Sequence, residues 1–224
     1  MNKKLLAVIA VRAGSRRVKN KNIRPFGDSN LLVHKIRQLK QISLLDGIVV
    51  SSDSDEMLEM AREEGTFVHK RAPEFCDEKS KTMGEVIAHI CDNIDCEDVM
   101  WAPCTTPLIT VNEYESAINS YYEMINRGYD SLIAVEEVRL FLRDINGPIN
   151  YKQGKDQVPS QQLPPYYLST GGIYIAPRKK MIDWNYYIGE KAYSFILDKK
   201  SSIDIDDELD YECAKAWYNM NAEA

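Results

Sequence analysis

The chain lacks the cysteine and apolar patterns of disulfide-rich, zinc-binding and membrane-spanning proteins. Its five cysteines in 224 residues form no Cys-x-x-Cys pair and no Cys/His spacing of a zinc site. The apolar run near the start, Leu5–Val11, is too short for a membrane span, and no small-residue cleavage site follows it. We therefore expect reduced, mostly buried thiols and a cytoplasmic protein without a membrane segment.

The common nucleotide-binding and catalytic signatures are missing as well. There is no Gly-Lys-Ser/Thr ending of a Walker loop and no Gly-x-Gly-x-x-Gly. No Ser/His/Asp or Cys/His arrangement is apparent, and we expect His34, His69 and His89 to be structural. The net charge of −6 disfavours a nucleic acid polymer as partner. A small anionic ligand fits this composition better.

What the chain does contain is a regular alternation of buried strands and amphipathic helices. Short apolar runs predict strands at Leu5–Val11, Ile48–Ser51, Thr66–Val68, Val99–Trp101, Ser131–Val135 and Gly171–Ile175. Thr82 and Thr110 each begin a capping box that starts a helix. Strand, helix, strand connections require crossovers and hence a parallel sheet. We predict one α/β domain over residues 1–224, with a mostly parallel sheet flanked by helices.

Four local features complete this prediction. Asp28 or Ser29 is expected to cap the first helix, and Asp53 or Ser54 the second. The segment 136–165 loses apolar periodicity and gains proline and glycine, which predicts an excursion of loops and short strands, either a lobe or an oligomer contact. Ser202–Asp210 is expected to join a short strand to the last helix. The predicted inner face of that helix is Leu209, Cys213, Ala216, Trp217 and Met220.

The loop after the first strand is strongly basic. It contains Gly14, Ser15 and five cations: Arg12, Arg16, Arg17, Lys19 and Lys21. Backbone N–H groups and cationic side chains together suit the oxygens of a polyphosphate. The loop also lies at the carboxyl end of a strand, where open α/β sheets bind ligands. A solvated surface loop is the alternative. Arg71, in a proline-containing loop after another strand, is placed to point into the same cleft.

Two carboxylates near the end of the chain form a second candidate site. In extended chain Asp204 and Asp206 project to one side and the neighbouring isoleucines to the other. Such a pair suits Mg²⁺, which takes oxygen ligands and often bridges carboxylate and phosphate. An acidic helix start is the alternative, but it explains Asp207 and Glu208 and not Asp204. With the basic loop, the pair suggests a Mg²⁺-dependent reaction on a nucleoside triphosphate.

Several short motifs occur in a characteristic order over nearly the whole chain. They are Arg12–Arg17 with Lys21–Ile23, the Arg71 loop, Pro103–Leu108, Gln161–Pro164, Gly171–Ile175 and Ser202–Asp206 with Leu209-Asp210. In this order they resemble the acylneuraminate cytidylyltransferases, also called CMP-sialic acid synthetases. The resemblance implies a Rossmann-like nucleotidyltransferase fold. It also implies a reaction in which CTP and a nine-carbon 2-keto sugar acid give the CMP-sugar and pyrophosphate.

The resemblance further implies roles for particular residues. CTP would be held by Arg12, Ala13, Gly14, Ser15, Arg16, Lys21, Asn22, Arg71 and Thr82. The catalytic residues would be Arg12, Lys21, Asp204 and Asp206, with the two aspartates as Mg²⁺ ligands. The sugar acid would contact Thr105, Gln161, Gln162, Tyr167 and Thr170. Because the family is typically dimeric and exchanges a segment like 136–165 between subunits, we expect a homodimer.

Departures from the family pattern leave the acceptor open. Ser15-Arg16-Arg17 stands where Ser-Lys-Gly is usual, and Trp101-Ala102 precedes Pro103 where a glutamine is usual. Leu168 and Thr170 replace an arginine and an asparagine near the acceptor. Sialic acid, its deaminated form, legionaminic acid, pseudaminic acid and an eight-carbon keto sugar acid all stay possible.

Two other functions are alternatives to a cytidylyltransferase. An idle nucleotide-binding regulator of the same fold is disfavoured because the four catalytic candidates are present. A glycosyltransferase would normally carry its Asp-x-Asp in mid-chain after a strand, whereas here the pair stands at the entry to the last helix.

Overall fold

A seven-stranded sheet with helices on both faces forms the framework of the computed structural model, which describes residues 4–15, 18–77 and 79–222. The helices are α1 (Leu31–Leu39), α2 (Asp55–Glu63), α3 (Met83–Asp92), α4 (Val111–Ile125), α5 (Arg178–Trp184) and α6 (Glu208–Ala222). The strands of the sheet are β1 (Leu5–Ala10), β4 (Gly47–Ser52), β5 (Phe67–Lys70), β6 (Asp98–Trp101), β7 (Ser131–Val138), β10 (Tyr166–Pro177) and β11 (Ala192–Leu197). Two small hairpins lie outside it, β2 (Pro25–Phe26) with β3 (Ser29–Asn30), and β8 (Arg143–Asp144) with β9 (Gly147–Pro148).

Six of the seven strands run in one direction. The order across the sheet is β11-β7-β10-β6-β1-β4-β5. β1 pairs in parallel with β4 and β6, so that Val8 lies opposite Val49 on one side and Trp101 on the other. Only β10 is reversed among the paired strands of this sheet, antiparallel to both β6 and β7. The predicted α/β fold with a mostly parallel sheet is confirmed.

The alternation of side chains along β1 divides the core into two layers. Leu5, Ala7 and Ile9 belong to the core under α1, α2, α4 and α6, whereas Leu6 and Val8 belong to the core under α3 and α5. Because successive side chains of a strand point to opposite faces, an unbroken apolar run requires cover on both. The apolar run in β1 is therefore buried between two layers of helices, as its sequence predicts. The carboxyl end of β1 lies at one edge of the sheet.

The local predictions are correct at three helix starts, whereas the cap of α1, the strand β11 and the inner face of α6 were not predicted correctly. Both capping boxes, at Thr82 and Thr110, are formed. Ser54 caps α2, as one of the two predicted alternatives. The predicted cap of α1 is wrong: residues 25–30 form a small hairpin, and the Asn30 side chain accepts from the Val33 amide at 3.0 Å. β11, a partly exposed edge strand, was not predicted.

The predicted inner face of α6 is also wrong. Leu209 and Met220 are 72% and 68% exposed, and Cys213, Ala216 and Trp217 are exposed as well. The buried face instead carries Tyr211 and Ala214. The Tyr211 hydroxyl donates to the Pro25 carbonyl and its ring lies under the Arg24 guanidinium, 3.8 Å from the ring centroid. These contacts fix the rotation of the helix and leave its most regular apolar stripe outside.

The excursion between β7 and β10 is slightly shorter than predicted. β7 continues to Val138 and β10 begins at Tyr166, so residues 136–138 belong to the sheet. The remainder holds the β8/β9 hairpin and loops, as expected. Ile145 at the hairpin is 99% exposed, and Leu140 and Ile149 are also exposed.

Among the described residues, no helix combines the length and the apolar character that crossing a lipid bilayer requires.

Candidate active site

A cleft of about 680 Å³ opens at the carboxyl end of β1. It brings together residues from three distant parts of the chain, which are the loop after β1, the segment from Arg71 to α3, and the exit of β6. Of the predicted site residues, those that line it are Arg12, Ser15, Lys21, Asn22, Arg71, Thr82 and Thr105. This is the edge at which the basic loop and the Arg71 loop were expected to meet.

The loop after β1 is held by hydrogen bonds at both sides. The Ala13 amide donates to Asp53 Oδ1 at 3.0 Å, and the Arg12 guanidinium donates to the Cys76 carbonyl at 3.2 Å. Gly14 has φ of 74°, the left-handed region that glycine adopts without strain. The predicted CTP residue Arg16, with Arg17, lies outside the described residues. Asp53, expected only as a helix cap, thus fixes the start of the loop.

Asn22 ties the basic loop to the exit of β6. It is buried, its side-chain amide donates to the Arg12 carbonyl at 3.1 Å, and its Oδ1 accepts from the Cys104 thiol at 3.3 Å. Burial raises the pKa of Cys104 to about 12, so the thiol keeps its proton and can serve as this donor. Asn22 therefore holds the basic loop against the exit of β6.

Arg71 is only 4% exposed, although it lines the cleft. Its guanidinium donates to the Val11 carbonyl at 2.5 Å and to Cys76 Sγ at 2.9 Å. Burial raises the pKa of Cys76, and the Arg71 charge opposes that rise. Since a guanidinium has five N–H donors in a planar fork, Arg71 can hold the end of β1 and still direct its charge at an anion in the cleft.

Thr82 is the N-cap of α3, and the first turn of this helix forms one wall of the cleft. Its hydroxyl donates to Glu85 Oε2 at 3.0 Å, and the Glu85 amide donates back at 3.2 Å. The Lys81 ammonium and the Thr82 donors lower the pKa of Glu85 to about 2. The capping box holds the positive end of the helix dipole toward the cleft.

Asp204 and Asp206, the acidic pair, follow β11 and do not line the cleft themselves, but they lie next to Thr105, which does. Asp204 Oδ1 is buried and has no hydrogen-bond partner among the described residues. Burial raises the pKa of Asp204, and the neighbouring Asp206 adds to the rise. The position is rigid, because the Ile205 amide donates to the Thr105 carbonyl at 2.8 Å. A Cβ on Gly171, whose φ is 70°, would lie 2.8 Å from Asp204 Oδ2.

Lys21 joins the basic and the acidic sides. Its ammonium donates to the Ile205 carbonyl at 2.6 Å and lies 3.5 Å from Asp206 Oδ1. Within the described ranges no three His, Cys, Asp or Glu side chains converge as a ready-made metal cluster. The buried, unpartnered oxygen of Asp204 nevertheless fits a cation, which would compensate its cost of burial. Asp204 and Asp206 are therefore suitable ligands for Mg²⁺.

The structure does not bring all of the predicted acceptor residues to the cleft. Thr170 is buried in the bulge of β10, where its hydroxyl donates to the Ala134 carbonyl at 3.2 Å and accepts from the Gly172 amide at 3.3 Å. Tyr167, Gln161 and Gln162 are exposed and do not line the cleft. Gln162 lines a separate cavity of about 440 Å³ within the excursion.

Three aromatic residues line the cleft without having been predicted as site residues: Phe75, Trp101 and Tyr187. Trp101 and Tyr187 line it, with ring centroids 5.2 Å apart in an edge-to-face arrangement. Tyr187 also stacks on Tyr174 at 4.4 Å. Trp101 was visible in the sequence as a departure from the family pattern, whereas Tyr187, in the loop after α5, belongs to no motif.

The chain is similar to known proteins both in sequence and in fold. Residues 6–145 match the family model described as Cytidylyltransferase. The chain is 25% identical to the pseudaminic acid cytidylyltransferase of Campylobacter jejuni, with 99% of each chain covered. It is 26% identical to the CMP-N,N'-diacetyllegionaminic acid synthase of Legionella pneumophila, again over 99% of each.

A solved structure of a CMP:2-keto-3-deoxy-manno-octonic acid synthetase in complex with CTP superposes with a TM-score of 0.70. The sequence identity is 10%, and the superposition covers 97% of this chain and 99% of the other. At this identity the likeness shows the fold, a Rossmann-like nucleotidyltransferase fold.

Proposed function

The chain belongs to the cytidylyltransferase family, and from that membership we propose that it transfers CMP from CTP to a nine-carbon 2-keto sugar acid. In this reaction the anomeric hydroxyl oxygen attacks the α-phosphorus of CTP. The new P–O bond forms as the bond to the β-phosphate breaks, pyrophosphate leaves, and the hydroxyl proton passes to a carboxylate. Relatives that are named as pseudaminic acid and legionaminic acid enzymes support a sugar acid of this class.

The observation that carries the proposal is the meeting of opposite charges at one edge of the sheet. Lys21 lies between the basic loop and the Asp204/Asp206 pair, with its ammonium 2.6 Å from the Ile205 carbonyl. A transferred phosphoryl group needs positive charge on its oxygens and fixed geometry for its attacker. Arg12, Lys21 and the first turn of α3 supply the charge, while Thr105 and Asp204 mark the opposite side.

Mg²⁺ would be held by Asp204 and Asp206, and when bound it would neutralise charge on the triphosphate. Each of the chain's own groups has a separate task. Arg12 and Lys21 bind and orient phosphate oxygens, Arg71 keeps the end of β1 in place, and Thr82 anchors the wall of the cleft. Negative charge develops on the pyrophosphate as it leaves, so these cations also stabilise the leaving group.

The excursion supports a homodimer as part of the proposal. Leu140, Ile145 and Ile149 expose apolar surface on a segment too small to bury it internally. A second copy of the chain would cover this surface. Deletion of residues 151–158 is expected to give monomers in sedimentation experiments, and dimers that persist after the deletion would contradict this interface. Because CTP is a metabolite of the cytoplasm, we also propose a cytoplasmic location for the enzyme.

The activity is tested by pyrophosphate release with Mg²⁺ and CTP against a panel of eight- and nine-carbon keto sugar acids. ATP, GTP and UTP serve as nucleotide controls. Release with CTP and a nine-carbon acid is the expected result and identifies the acceptor. Release with only an eight-carbon acid would overturn the nine-carbon assignment. Binding of CTP without release across the panel would favour a nucleotide-binding regulator.

A further inference from the structure

Lys35 on α1 is completely buried, with 0% exposure. Its ammonium donates to the Thr106 carbonyl at 2.8 Å, the Tyr114 hydroxyl at 2.7 Å and Gln38 Oε1 at 2.6 Å. No carboxylate in the described part of the chain lies within ion-pair distance of it. An ammonium in the core is costly even when it is hydrogen-bonded, because burial disfavours the charged form. A lysine at this position therefore has to be explained by the particular groups that it holds.

The hydrogen bond to the Thr106 carbonyl reaches the loop from Pro103 to Pro107, here called the β6 exit loop. Lys35 holds this loop at Thr106, and two further side chains of α1 hold the next carbonyl. Gln38 donates to the Pro107 carbonyl at 3.2 Å, and His34 Nε2 lies 3.1 Å from the same oxygen. The inner side of the β6 exit loop is thus clamped to α1 by three polar side chains.

The outer side of the β6 exit loop contacts both charged sides of the cleft. The Thr105 carbonyl accepts from the Ile205 amide at 2.8 Å, next to Asp204. The Cys104 thiol donates to Asn22, which in turn holds the Arg12 carbonyl. A shift of this loop would therefore move the acidic pair relative to the basic loop. Such a change in separation matters because phosphoryl transfer depends on alignment.

We propose that Lys35 is a positioning residue, whose hydrogen bond to the Thr106 carbonyl fixes the β6 exit loop and so sets the distance between the acidic pair and the basic loop. The bonds to Gln38 and Tyr114 hold the ammonium in place for this contact. An ammonium has three N–H donors, and three acceptors surround this one. An apolar side chain of the same length could fill the space but could not hold the Thr106 carbonyl. The placement of the loop is structural, whereas its consequence for turnover rests on the function proposed above.

The test compares Lys35→Met with Lys40→Met, a matched change at an exposed lysine just after the same helix. For Lys35→Met we expect kcat of the folded protein reduced at least about 10-fold and CTP affinity changed less than about threefold. The melting temperature should fall as well, because the buried Thr106 carbonyl and Tyr114 hydroxyl lose their partner. A purely structural lysine predicts the same fall in melting temperature with kcat retained in the folded fraction. Lys35→Gln, which keeps a donor for the Thr106 carbonyl, should recover part of the rate.

A second measurement does not depend on turnover. Hydrogen exchange of the Ile205 amide, which is bonded to the Thr105 carbonyl, should become at least about 10-fold faster in Lys35→Met and stay unchanged in Lys40→Met. Unchanged exchange in Lys35→Met would overturn the positioning role. If that variant does not fold, the same comparison is made with Lys35→Gln, for which intermediate exchange is expected. Absence of turnover in the wild type would count against the proposed function and leave the exchange result to decide on Lys35.

Discussion

On the basic side of the cleft Asn22 and Arg71 have protein partners, whereas on the acidic side Asp204 Oδ1 is buried with no hydrogen-bond partner among the residues that the structure describes. The two sides thus differ in what they require from a ligand. The basic side is organised by backbone carbonyls and keeps its shape in the protein alone. The acidic side carries an uncompensated oxygen and gains most from a cation. This asymmetry predicts different outcomes for mutations on the two sides.

The largest effect is expected for Asp204→Asn. The substitution removes the charge proposed to hold Mg²⁺, so turnover should fall at least about 1,000-fold. Because burial raises the pKa of Asp204, the charged form costs stability in the folded protein, and removing the charge should not lower the melting temperature. Steady-state kinetics and calorimetry measure the two expectations. Asp207→Asn makes the same chemical change at an exposed helix start and should retain activity; a full Mg²⁺-dependent rate in Asp204→Asn would contradict the assignment.

A smaller loss is expected on the basic side. Lys21→Ala should reduce kcat about 100-fold at saturating CTP, as removal of one preorganised donor to transition-state charge typically does. Lys19→Ala, at an exposed position of the same loop, is the control and should change kcat little. Pyrophosphate release over a range of CTP concentrations separates kcat from KM. An effect confined to KM would show that Lys21 binds ground state and transition state equally.

The smallest effect concerns the first turn of α3, which forms one wall of the cleft. The pKa of Glu85 is lowered to about 2 in the folded protein, from an ordinary value of 4.5. Its contribution to stability is therefore present above pH 4.5 and is lost as the pH falls through about 2. Acid unfolding of Glu85→Gln, followed by circular dichroism, should show less change in melting temperature between pH 5 and pH 2 than the wild type. Equal pH dependence in both proteins would contradict the capping role.

The sequence alone predicted most of the framework because the relevant signals are local. A buried strand, a capping box or a basic loop is recognisable within a few residues, as β1, Thr82 and the loop after β1 illustrate. The mostly parallel sheet followed from the order of such elements. The edge strand β11 escaped because its side chains are only partly buried and its apolar pattern is weak.

The features that could not be predicted depend on contacts between distant residues. The rotation of α6 is set by Tyr211 against Pro25 and Arg24, so its regular apolar stripe was a misleading guide. Asp53 had the ordinary signature of a helix cap, yet it accepts from the Ala13 amide 40 residues away. Lys35 gave no signal in the sequence, since a lysine on a predicted helix is usually solvated.

The contact between Lys21 and Ile205 also has a consequence for biosynthesis, because it spans 184 residues. On the ribosome, the basic loop emerges long before the acidic pair. Contacts of such separation close slowly, since the entropy of a long loop must be overcome first. A nascent chain can therefore complete β1, β4 and β6 while it still lacks Asp204 and Asp206. The two charged sides can meet only after the segment between them has been synthesised.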